Sequence, residues 1–217
     1  MKIGIGITTT PNRAYLMQKT LSQILSHAKD AEIYIHDDVS FKGVAYAKNM
    51  CIYNLKHCDF VFLFDDDCYP THEGWINYCI AVFDQTQEKH FLLLDKVTHA
   101  PFLTYAPGMY CFENCGGVFM AFDNRKGLIK KVGYMDSRYT GWGFEHAGYS
   151  NRIYRMGYTS HPYIMPQFLD QYIYSLDYHQ SVASSVTNEQ KTINYHQNFK
   201  IFQSELNDKP KYKAFKP

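Results

Sequence analysis

The chain has 217 residues, of which 46% are hydrophobic and 20% charged, and its formal net charge is +1. This length and apolar content suffice for one substantial core. The near-neutral charge excludes an overall field that would attract a polyanionic partner, so any nucleic-acid contact needs a local basic patch. Aromatic residues make up 17% of the chain, an abundance that suits stacking on sugars or bases as well as core packing.

Strands and helices alternate through the first half. Apolar residues alternate with glycine over residues 3–7, and a helical spacing of apolar residues follows over 15–28. A second strand is predicted over 31–36, and a helix containing residues 47–55 precedes an apolar run at 60–64. This order favours parallel strands with right-handed connections, which predicts an α/β fold with a mostly parallel central sheet flanked by helices.

Three consecutive carboxylates follow the apolar run. An unbroken run of this kind predicts a strand buried on both faces, and Asp65, Asp66 and Asp67 come at its carboxyl end, where open α/β sheets bind ligands. Adjacent carboxylates repel one another unless a cation lies between them. Oxygen ligands suit Mg²⁺ or Mn²⁺, ions that also hold substrate phosphates. A solvated acidic turn is the alternative, which the buried strand disfavours.

Several other site types are disfavoured. Gly4 and Gly6 lie inside the first strand, so they do not form a dinucleotide-binding fingerprint, and no Walker phosphate loop occurs. The six cysteines form no Cys-x-x-Cys pair, which predicts buried free thiols rather than a zinc or disulfide framework. Neither an apolar leader nor a run of bilayer-spanning length is evident, so we expect a cytoplasmic protein.

The second half has a different character. Gly116 and Gly117 directly precede an apolar strand, which indicates backbone that passes close to a ligand. A loop of glycines and aromatics at 139–148 then delivers Glu145 and His146.

The organisation that we predict is one domain with two halves and a tail. Residues 1–97 form the first half, 98–207 the second half, and 208–217 a basic and aromatic tail. Helices are predicted over 149–156 and 188–206.

Six motifs occur in order along the chain: ITTTPNR (7–13), HDDVS (36–40), GVAYAKN (43–49), FDDD (64–67), GGVFMAF (116–122) and GWGFEH (141–146), the last followed by Asn151, Arg152 and Gly157. Across residues 3 to 180 they resemble GT-A glycosyltransferases. The first four resemble the family-two type, and the last two resemble the acceptor side of the β-galactosyltransferase branch. Departures are Val39 for glycine, Lys48 for arginine and His146 for an aspartate.

The resemblance implies a GT-A fold with a smaller mixed subregion on the acceptor side. It also implies a nucleotide-sugar donor, with UDP as the favoured carrier. The donor-binding residues carried over are Thr8, Arg13, Asp37, Asp38, Lys48, Asp65 and Asp66. Asp65 and Asp67 are assigned to Mn²⁺ or Mg²⁺, with Asp67 as the direct ligand and His179 completing the metal shell.

The implied reaction is a displacement at the anomeric carbon of the sugar, with the acceptor bound by Gly116, Gly117, Trp142 and Arg152. Glu145 is the favoured base for the acceptor hydroxyl, with His146 as helper. Two alternatives stay open: His146 is itself the base, or the reaction retains configuration and needs no base.

The sequence also leaves open which acceptor is used and whether the chain is catalytic. A glycan or another polymer is one acceptor class, and hydroxymethylated pyrimidines in phage-type DNA are another. A non-catalytic module that binds a nucleotide sugar or a glycan is the third interpretation. The tail lysines, interleaved with Tyr212 and Phe215, suit phosphate contact, an anionic membrane surface or solubility alone; they are Lys209, Lys211, Lys213 and Lys216.

Overall fold

The structure is a computed structural model that describes residues 1–96, 103–105, 108–179 and 182–217, without the side chains of 103–105. The predicted boundary between residues 97 and 98 lies outside the described residues. The strands are β1 (Ile3–Thr9), β2 (Glu32–Asp37), β3 (Phe60–Asp65), β4 (Cys68–Pro70), β5 (His90–Leu92), β6 (Leu103–Tyr105), β7 (Met109–Cys111), β8 (Phe119–Asp123), β9 (Ile164–Pro166) and β10 (Ile173–Ser175). The helices are α1 (Ala14–His27), α2 (Val44–Leu55), α3 (Trp75–Thr86), α4 (Leu128–Val132), α5 (Glu145–Arg155), α6 (Leu169–Tyr172), α7 (Leu176–His179) and α8 (Asn188–Asn207).

A five-stranded sheet forms the centre, in the order β2-β1-β3-β8-β5. Strands β2, β1 and β3 are parallel, and β8 runs antiparallel to both β3 and β5. The predicted α/β class with a mostly parallel sheet is therefore confirmed. Because β8 comes from the second half and pairs with β3, both halves contribute to one sheet. Two smaller sheets, β10-β4 and β6-β7-β9, lie beside it.

Aromatic rings fill the core on one face of β3. Phe62 and Phe64 both contact the ring of Trp75 on α3, at centroid distances of 4.8 and 5.6 Å. Phe119 of the neighbouring strand packs 4.8 Å from Phe64. Each of these fully buried phenylalanines contributes about 2 kcal/mol through burial of apolar surface. These contacts fix the position of β3, and the three acids lie at its carboxyl end.

Strand β1 packs directly against α2. A β-carbon at Gly6 would lie 2.6 Å from the Cys51 β-carbon, a distance that no pair of side chains tolerates. The close approach predicted from the glycine pattern is therefore real, and the neighbour is a helix rather than a ligand. All six cysteines are described and all are free thiols; five are buried and Cys115 is half-buried.

Of the two helices predicted in the second half, one needs correction and the other is confirmed. The helix expected over 149–156 begins four residues earlier, at Glu145, because Phe144 takes a left-handed conformation (φ 68°) that ends the preceding loop. Glu145 and His146 therefore lie in the first helical turn rather than in a loop. The helix predicted over 188–206 is confirmed as α8, whose N-cap Thr187 accepts a hydrogen bond from the Gln190 amide.

Part of the C-terminal tail packs on the domain through Lys213 and Phe215, whereas Lys209, Lys211 and Lys216 are exposed. Lys213 forms a bridge with Gly133 and an ion pair of 2.5 Å with Asp136. The Phe215 ring lies 5.7 Å from Tyr46 and 5.4 Å from Tyr134. Lys213 is thus unavailable to an outside phosphate. Among the helices that the structure describes, none combines the length and hydrophobicity that a bilayer crossing requires.

A buried histidine joins the sheet to α5. Within the fully buried His90 ring, Nδ1 lies 3.0 Å from the Ala121 carbonyl oxygen and Nε2 lies 2.8 Å from the Ser150 hydroxyl. A carbonyl oxygen only accepts, so Nδ1 carries the proton and the Ser150 hydroxyl donates to Nε2. Burial, with a smaller effect of nearby His146, lowers the pKa of His90 to about 4, against the opposing effect of the hydrogen bond to Ala121.

We predict that His90 contributes to acid unfolding. Because the unfolded imidazole takes up a proton near pH 6.5 and the folded one only near pH 4, the free energy of unfolding falls as pH drops through this window, by up to about 3 kcal/mol. Urea unfolding of the native chain and of a His90→Gln variant, at pH 7.5, 5.5 and 4.5, measures this loss. The variant should lose less stability between pH 7.5 and 4.5; an equal loss in both proteins would contradict the assignment.

Candidate active site

The three acids occupy the turn after β3. Asp65 is the last residue of the strand, and its amide donates to the Val118 carbonyl just before β8. Asp66 and Asp67 follow before β4, and both are buried. The sheet thus positions all three backbones at its carboxyl edge, as predicted from the sequence.

Arg13 bridges two of the acids. Its Nε donates to Asp66 Oδ1 at 2.8 Å, and its Nη2 lies 2.5 Å from Asp67 Oδ2. The Thr9 hydroxyl donates to the other oxygen of Asp66 at 2.7 Å. Burial alone would lower the pKa of Arg13, but the two carboxylates outweigh it and raise that pKa above its ordinary value. Arg13 therefore remains a fixed cation.

Asp65 has a different cation. The Lys48 ammonium, fully buried on α2, lies 2.6 Å from Asp65 Oδ1, and the Thr8 hydroxyl donates to the same oxygen at 3.0 Å. The Asp65 side chain is 28% exposed, which leaves it open to the crevice. Two of the predicted donor-binding residues, Thr8 and Lys48, thus contact a third one directly.

Asp67 is incompletely satisfied. Its Oδ1 is buried and has no hydrogen-bond partner among the described residues. Burial and the charge of Asp65 raise the pKa of Asp67 to about 7, against the opposing effect of Arg13. Three carboxylates face two cations here, so a divalent cation fits the charge and the oxygen donors of the site. Asp67 and Asp65 are the residues that would hold it.

The acids that follow β2 take two different environments. Asp38 is buried, and its two oxygens accept from the amides of Lys42 and Gly43 at 3.0 and 2.7 Å. Asp37 is exposed at the end of β2. Asp38 therefore holds the turn before α2, and Asp37 is the acid of this pair that is open to solvent.

The segment around α7 closes one side of the acids. The amide of Leu176 donates to the Asp67 carbonyl at 2.8 Å, and the Tyr178 hydroxyl donates to the Leu93 carbonyl at 3.3 Å. His179, predicted as a metal ligand, is exposed at the end of α7 and stacks 4.7 Å from the ring of Tyr174. It lies three residues after Leu176, whose amide contacts the Asp67 carbonyl, and its part in metal binding stays a prediction.

Glu145 and His146 form a buried pair. His146 Nδ1 lies 3.0 Å from Glu145 Oε1, while His146 Nε2 is buried without a hydrogen-bond partner among the described residues. The Nδ1 proton donates to the carboxylate, which leaves a lone pair on Nε2. This arrangement of a carboxylate that orients an imidazole is the one that general bases use.

A short segment links this pair to the acids. A β-carbon at Gly117 would lie between 2.1 and 2.3 Å from three atoms of the His146 ring, so the imidazole lies directly on the Gly117 backbone. The next residue, Val118, accepts the Asp65 amide. Only these two residues separate the carboxylate cluster from the imidazole along this path. At Gly116, a β-carbon would lie 2.7 Å from the Tyr178 hydroxyl.

Trp142 and Arg152, the other two residues predicted on the acceptor side, differ in their exposure to solvent. Trp142 is 41% exposed, with the Lys191 ammonium 5.5 Å from the centre of its ring. Arg152 is buried, pairs with Glu205 of α8 at 2.8 Å and donates to the Tyr134 carbonyl. Arg152 therefore fastens α5 to α8, and Trp142 is the residue of the two that faces solvent.

Sequence reasoning did not identify Thr9 and Tyr178. Thr9 lies next to a predicted site residue and binds Asp66, but a threonine near a strand end carries no distinctive pattern. Tyr178 lies between Gly116 and Leu93, which are far apart in sequence. Only the fold brings those residues together.

No protein-family model matches the chain, and no curated protein matches it. Among solved structures, a Drosophila β-1,4-galactosyltransferase 7 variant in complex with manganese, UDP-Gal and xylobiose is similar, with 15% identity and a TM-score of 0.52 over 89% of this chain and 79% of that one. The mannosyltransferase PcManGT from Pyrobaculum calidifontis, in complex with GDP-Man and Mn²⁺, has 15% identity and a TM-score of 0.47 over 72% of this chain and 53% of that one.

A third similar structure is S. aureus TarS, with 12% identity and a TM-score of 0.41 over 67% of this chain. The chain spans about half the length of the mannosyltransferase and TarS chains. The likeness to the galactosyltransferase structure, which covers most of both chains, confirms the predicted GT-A fold.

We predict that Gly117 and His146 are energetically coupled. A Gly117→Ala change forces the new methyl group into the imidazole and should lower the free energy of unfolding by about 1–3 kcal/mol. A Gly117→Ala/His146→Ala double variant removes the obstructing ring and should recover much of that loss relative to His146→Ala alone. Chemical unfolding of the four proteins of this cycle measures the coupling.

Gly74→Ala is the matched control, because a β-carbon there would lie 3.1 Å from the exposed ring of His72 and at ordinary contact distance, 3.8 Å, from Tyr172. It should change stability by about 0.5 kcal/mol or less. Additive losses at positions 117 and 146 would contradict the contact.

Proposed function

We propose that the chain is a metal-dependent glycosyltransferase that moves a sugar from a UDP-sugar to an acceptor hydroxyl. The observation that carries this proposal is the buried carboxylate cluster at the sheet edge, where Asp67 Oδ1 has no partner among the described residues. The similar galactosyltransferase structure holds manganese together with UDP-Gal, and this likeness supports a metal and a sugar nucleotide for the present chain.

The charges of the site support a diphosphate donor. Asp65, Asp66 and Asp67 carry three negative charges when ionised, and Arg13 with Lys48 supplies two positive ones. A divalent cation reverses the balance and leaves the site positive, as a diphosphate requires. Bound there by Asp67 and Asp65, the metal would act as a Lewis acid that offsets charge on the departing diphosphate. His179 is retained as its third protein ligand.

The first half supplies the rest of the donor site in this proposal. Asp37, exposed beside the buried turn of Asp38, is the acid available to a ribose or base. The motifs of this half favour the family-two type, and UDP is the carrier that we propose. Thr8 and Lys48 fix the orientation of Asp65, and so act on the donor through that carboxylate.

For the base, the geometry favours His146 over Glu145. The imidazole has Nδ1 committed to Glu145, which leaves Nε2 as the atom that accepts the proton of the acceptor hydroxyl. Glu145 fixes the tautomer and stabilises the imidazolium that forms. This reverses the order of preference from the sequence and predicts an inverting reaction. Gly117 permits the imidazole to lie next to Val118 and hence near the donor site.

A glycan is the acceptor class that we propose. Trp142 offers a half-exposed ring to a sugar face, and amphipathic rings of this kind suit such contacts. The modified-DNA alternative draws on four tail lysines, of which Lys213 is committed to Asp136 and the other three are exposed, so it stays the second candidate. The non-catalytic alternative is disfavoured because the carboxylate cluster and the Glu145–His146 pair are both intact.

Calorimetry tests the donor site. The native chain should bind UDP in the presence of Mn²⁺ and much more weakly after chelation, because the diphosphate then faces uncompensated carboxylates. An Asp67→Asn variant should lose about tenfold or more of the metal-dependent affinity. Asp30→Asn, an exposed carboxylate in the turn before β2, is the control and should bind as the native chain does.

Absence of UDP binding in Mn²⁺, or equal binding by the Asp67→Asn variant, would refute the donor site. GDP and ADP in parallel titrations test the choice of nucleotide. UDP-glucose and UDP-galactose then test the choice of sugar.

The base assignment predicts a particular order of kinetic effects. Release of UDP from UDP-sugars, with water as acceptor, should fall about 10²-fold or more in His146→Asn and less in Glu145→Gln, because only the first removes the proton-accepting nitrogen. UDP affinity should stay unchanged in both variants. A greater loss in Glu145→Gln would return the base to Glu145.

A further inference from the structure

A second cluster of metal-ligating side chains lies at the opposite edge of the sheet. Glu32 begins β2, while His57 and Cys58 form the turn between α2 and β3. Strands β2 and β3 are both parallel to β1, so their amino ends share one edge. This edge is the one away from Asp65, and the cluster is separate from the proposed donor site.

The three donor atoms converge on a small volume. His57 Nε2 lies 2.9 Å from Glu32 Oε2 and 3.8 Å from Cys58 Sγ, and all three donor atoms lie within 4.8 Å of one another. Ligands around a tetrahedral Zn²⁺, at bond lengths near 2.0 Å for nitrogen and oxygen and 2.3 Å for sulfur, lie about 3.3–3.6 Å apart. The separations of 2.9 and 3.8 Å lie on either side of that range, and Glu32 lies within 4.8 Å of the Cys58 sulfur, so side-chain adjustments would bring the ligands to bonding positions.

Hydrogen bonds from Asn124 hold the turn that carries His57 and Cys58. The buried Asn124 side chain donates to the carbonyls of both Lys56 and Cys58 at 2.9 Å, and its own amide donates to the Asp59 carbonyl at 2.8 Å. On its other side, the Cys58 sulfur would lie 2.9 Å from a β-carbon at Gly4, which shows how closely it packs on β1. Such support holds a metal ligand in position before the metal arrives.

We propose that Glu32, His57 and Cys58 form a Zn²⁺ site with one position left for water. A carboxylate, a neutral imidazole and a thiolate balance the two charges of the ion. Sulfur and imidazole together select a borderline-soft cation over Mn²⁺ or Mg²⁺, which the all-oxygen acids at the other edge suit. The site takes ligands from the start of β2 and from the turn before β3, so the metal joins the two strands that flank β1.

The exposure of the ligands is consistent with entry from solvent. The side chains of His57 and Glu32 are 46% and 54% exposed, whereas Cys58 is buried beneath them. A metal arriving from solvent would therefore meet the carboxylate and imidazole first. The thiol then completes the site from the protein side.

Cobalt(II) is the probe that separates this site from the carboxylate cluster. Co²⁺ bound to a thiolate gives a ligand-to-metal charge-transfer band in the near ultraviolet, which oxygen ligands do not give. Titration of the reduced full-length chain should develop this band to one equivalent. One equivalent of Zn²⁺ should then abolish it.

Three variants and a control complete the test. Cys58→Ser should remove the band. His57→Gln and Glu32→Gln, at more exposed positions where the fold tolerates change, should weaken Co²⁺ binding about tenfold or more. His72→Gln, which alters an exposed histidine elsewhere, should leave the band and the affinity unchanged.

Two outcomes would overturn the proposal. One is a native chain that gives no charge-transfer band with Co²⁺, which would leave His57 and Glu32 as a surface ion pair above a core thiol. The other is a band that survives in Cys58→Ser, which would place the metal on another cysteine, or that keeps its full affinity in His57→Gln, which would exclude the imidazole as a ligand. Neither outcome affects the UDP titrations, so the proposed zinc site and the proposed donor site are tested independently.

Discussion

Three consecutive carboxylates at the end of a buried strand impose the main constraint on this structure. Burying charge without compensation is costly, and the chain meets the demand with Arg13 from the loop after β1 and Lys48 from α2. These two cations come from the two helical connections on either side of β2. The arrangement of β1, α2 and β3 therefore supplies a cation to Asp65 and another to Asp66 as well as packing the apolar core.

The negative charge of the three carboxylates is only partly compensated, and the functional proposal rests on this uncompensated charge. Asp67 keeps one buried oxygen without a partner among the described residues, and its pKa is raised to about 7. Such a group lowers stability in the absence of a ligand. A divalent cation with a diphosphate would satisfy both the carboxylates and the two basic side chains, so we interpret the unmet charge as part of donor binding.

Close backbone contacts position the residues of the second half to which we assign the acceptor chemistry. Gly141 accepts the Val44 amide at 2.9 Å, which seats the loop before α5 on the start of α2. The Phe144 ring packs on Phe199 and Phe202 of α8, and this packing sets the position from which α5 begins. Glu145 and His146 follow at once in the first turn. The pair thus depends on both halves of the chain.

Much of the fold was predictable because its signals are local. The apolar run before Asp65 and the helical spacing in the first half identify the parallel strands, and the acids mark the edge to which we assign the donor site. The start of α5 was not predictable, because a left-handed Phe144 depends on aromatic contacts with α8, over fifty residues away. The packed tail depends likewise on Asp136 and Tyr134.

The roles of individual side chains were less accessible than the motifs that contain them. Arg152 belongs to a motif of the acceptor side, yet its guanidinium holds Glu205. The zinc ligands that we propose were invisible for the same reason: Glu32 is 25 residues from His57, and only the parallel pairing of strands brings them together. Spacing rules for metal sites describe ligands on one local segment, and this cluster has two.

The central claim is that the carboxylate cluster holds the metal of a nucleotide-sugar donor. Anomalous diffraction from crystals grown with Mn²⁺ and UDP tests it most directly. We predict a manganese peak about 2 Å from an Asp67 carboxylate oxygen, with the diphosphate of UDP on the other side of the metal. A crystal in which UDP binds elsewhere, or in which no manganese lies against Asp65 or Asp67, would contradict this account.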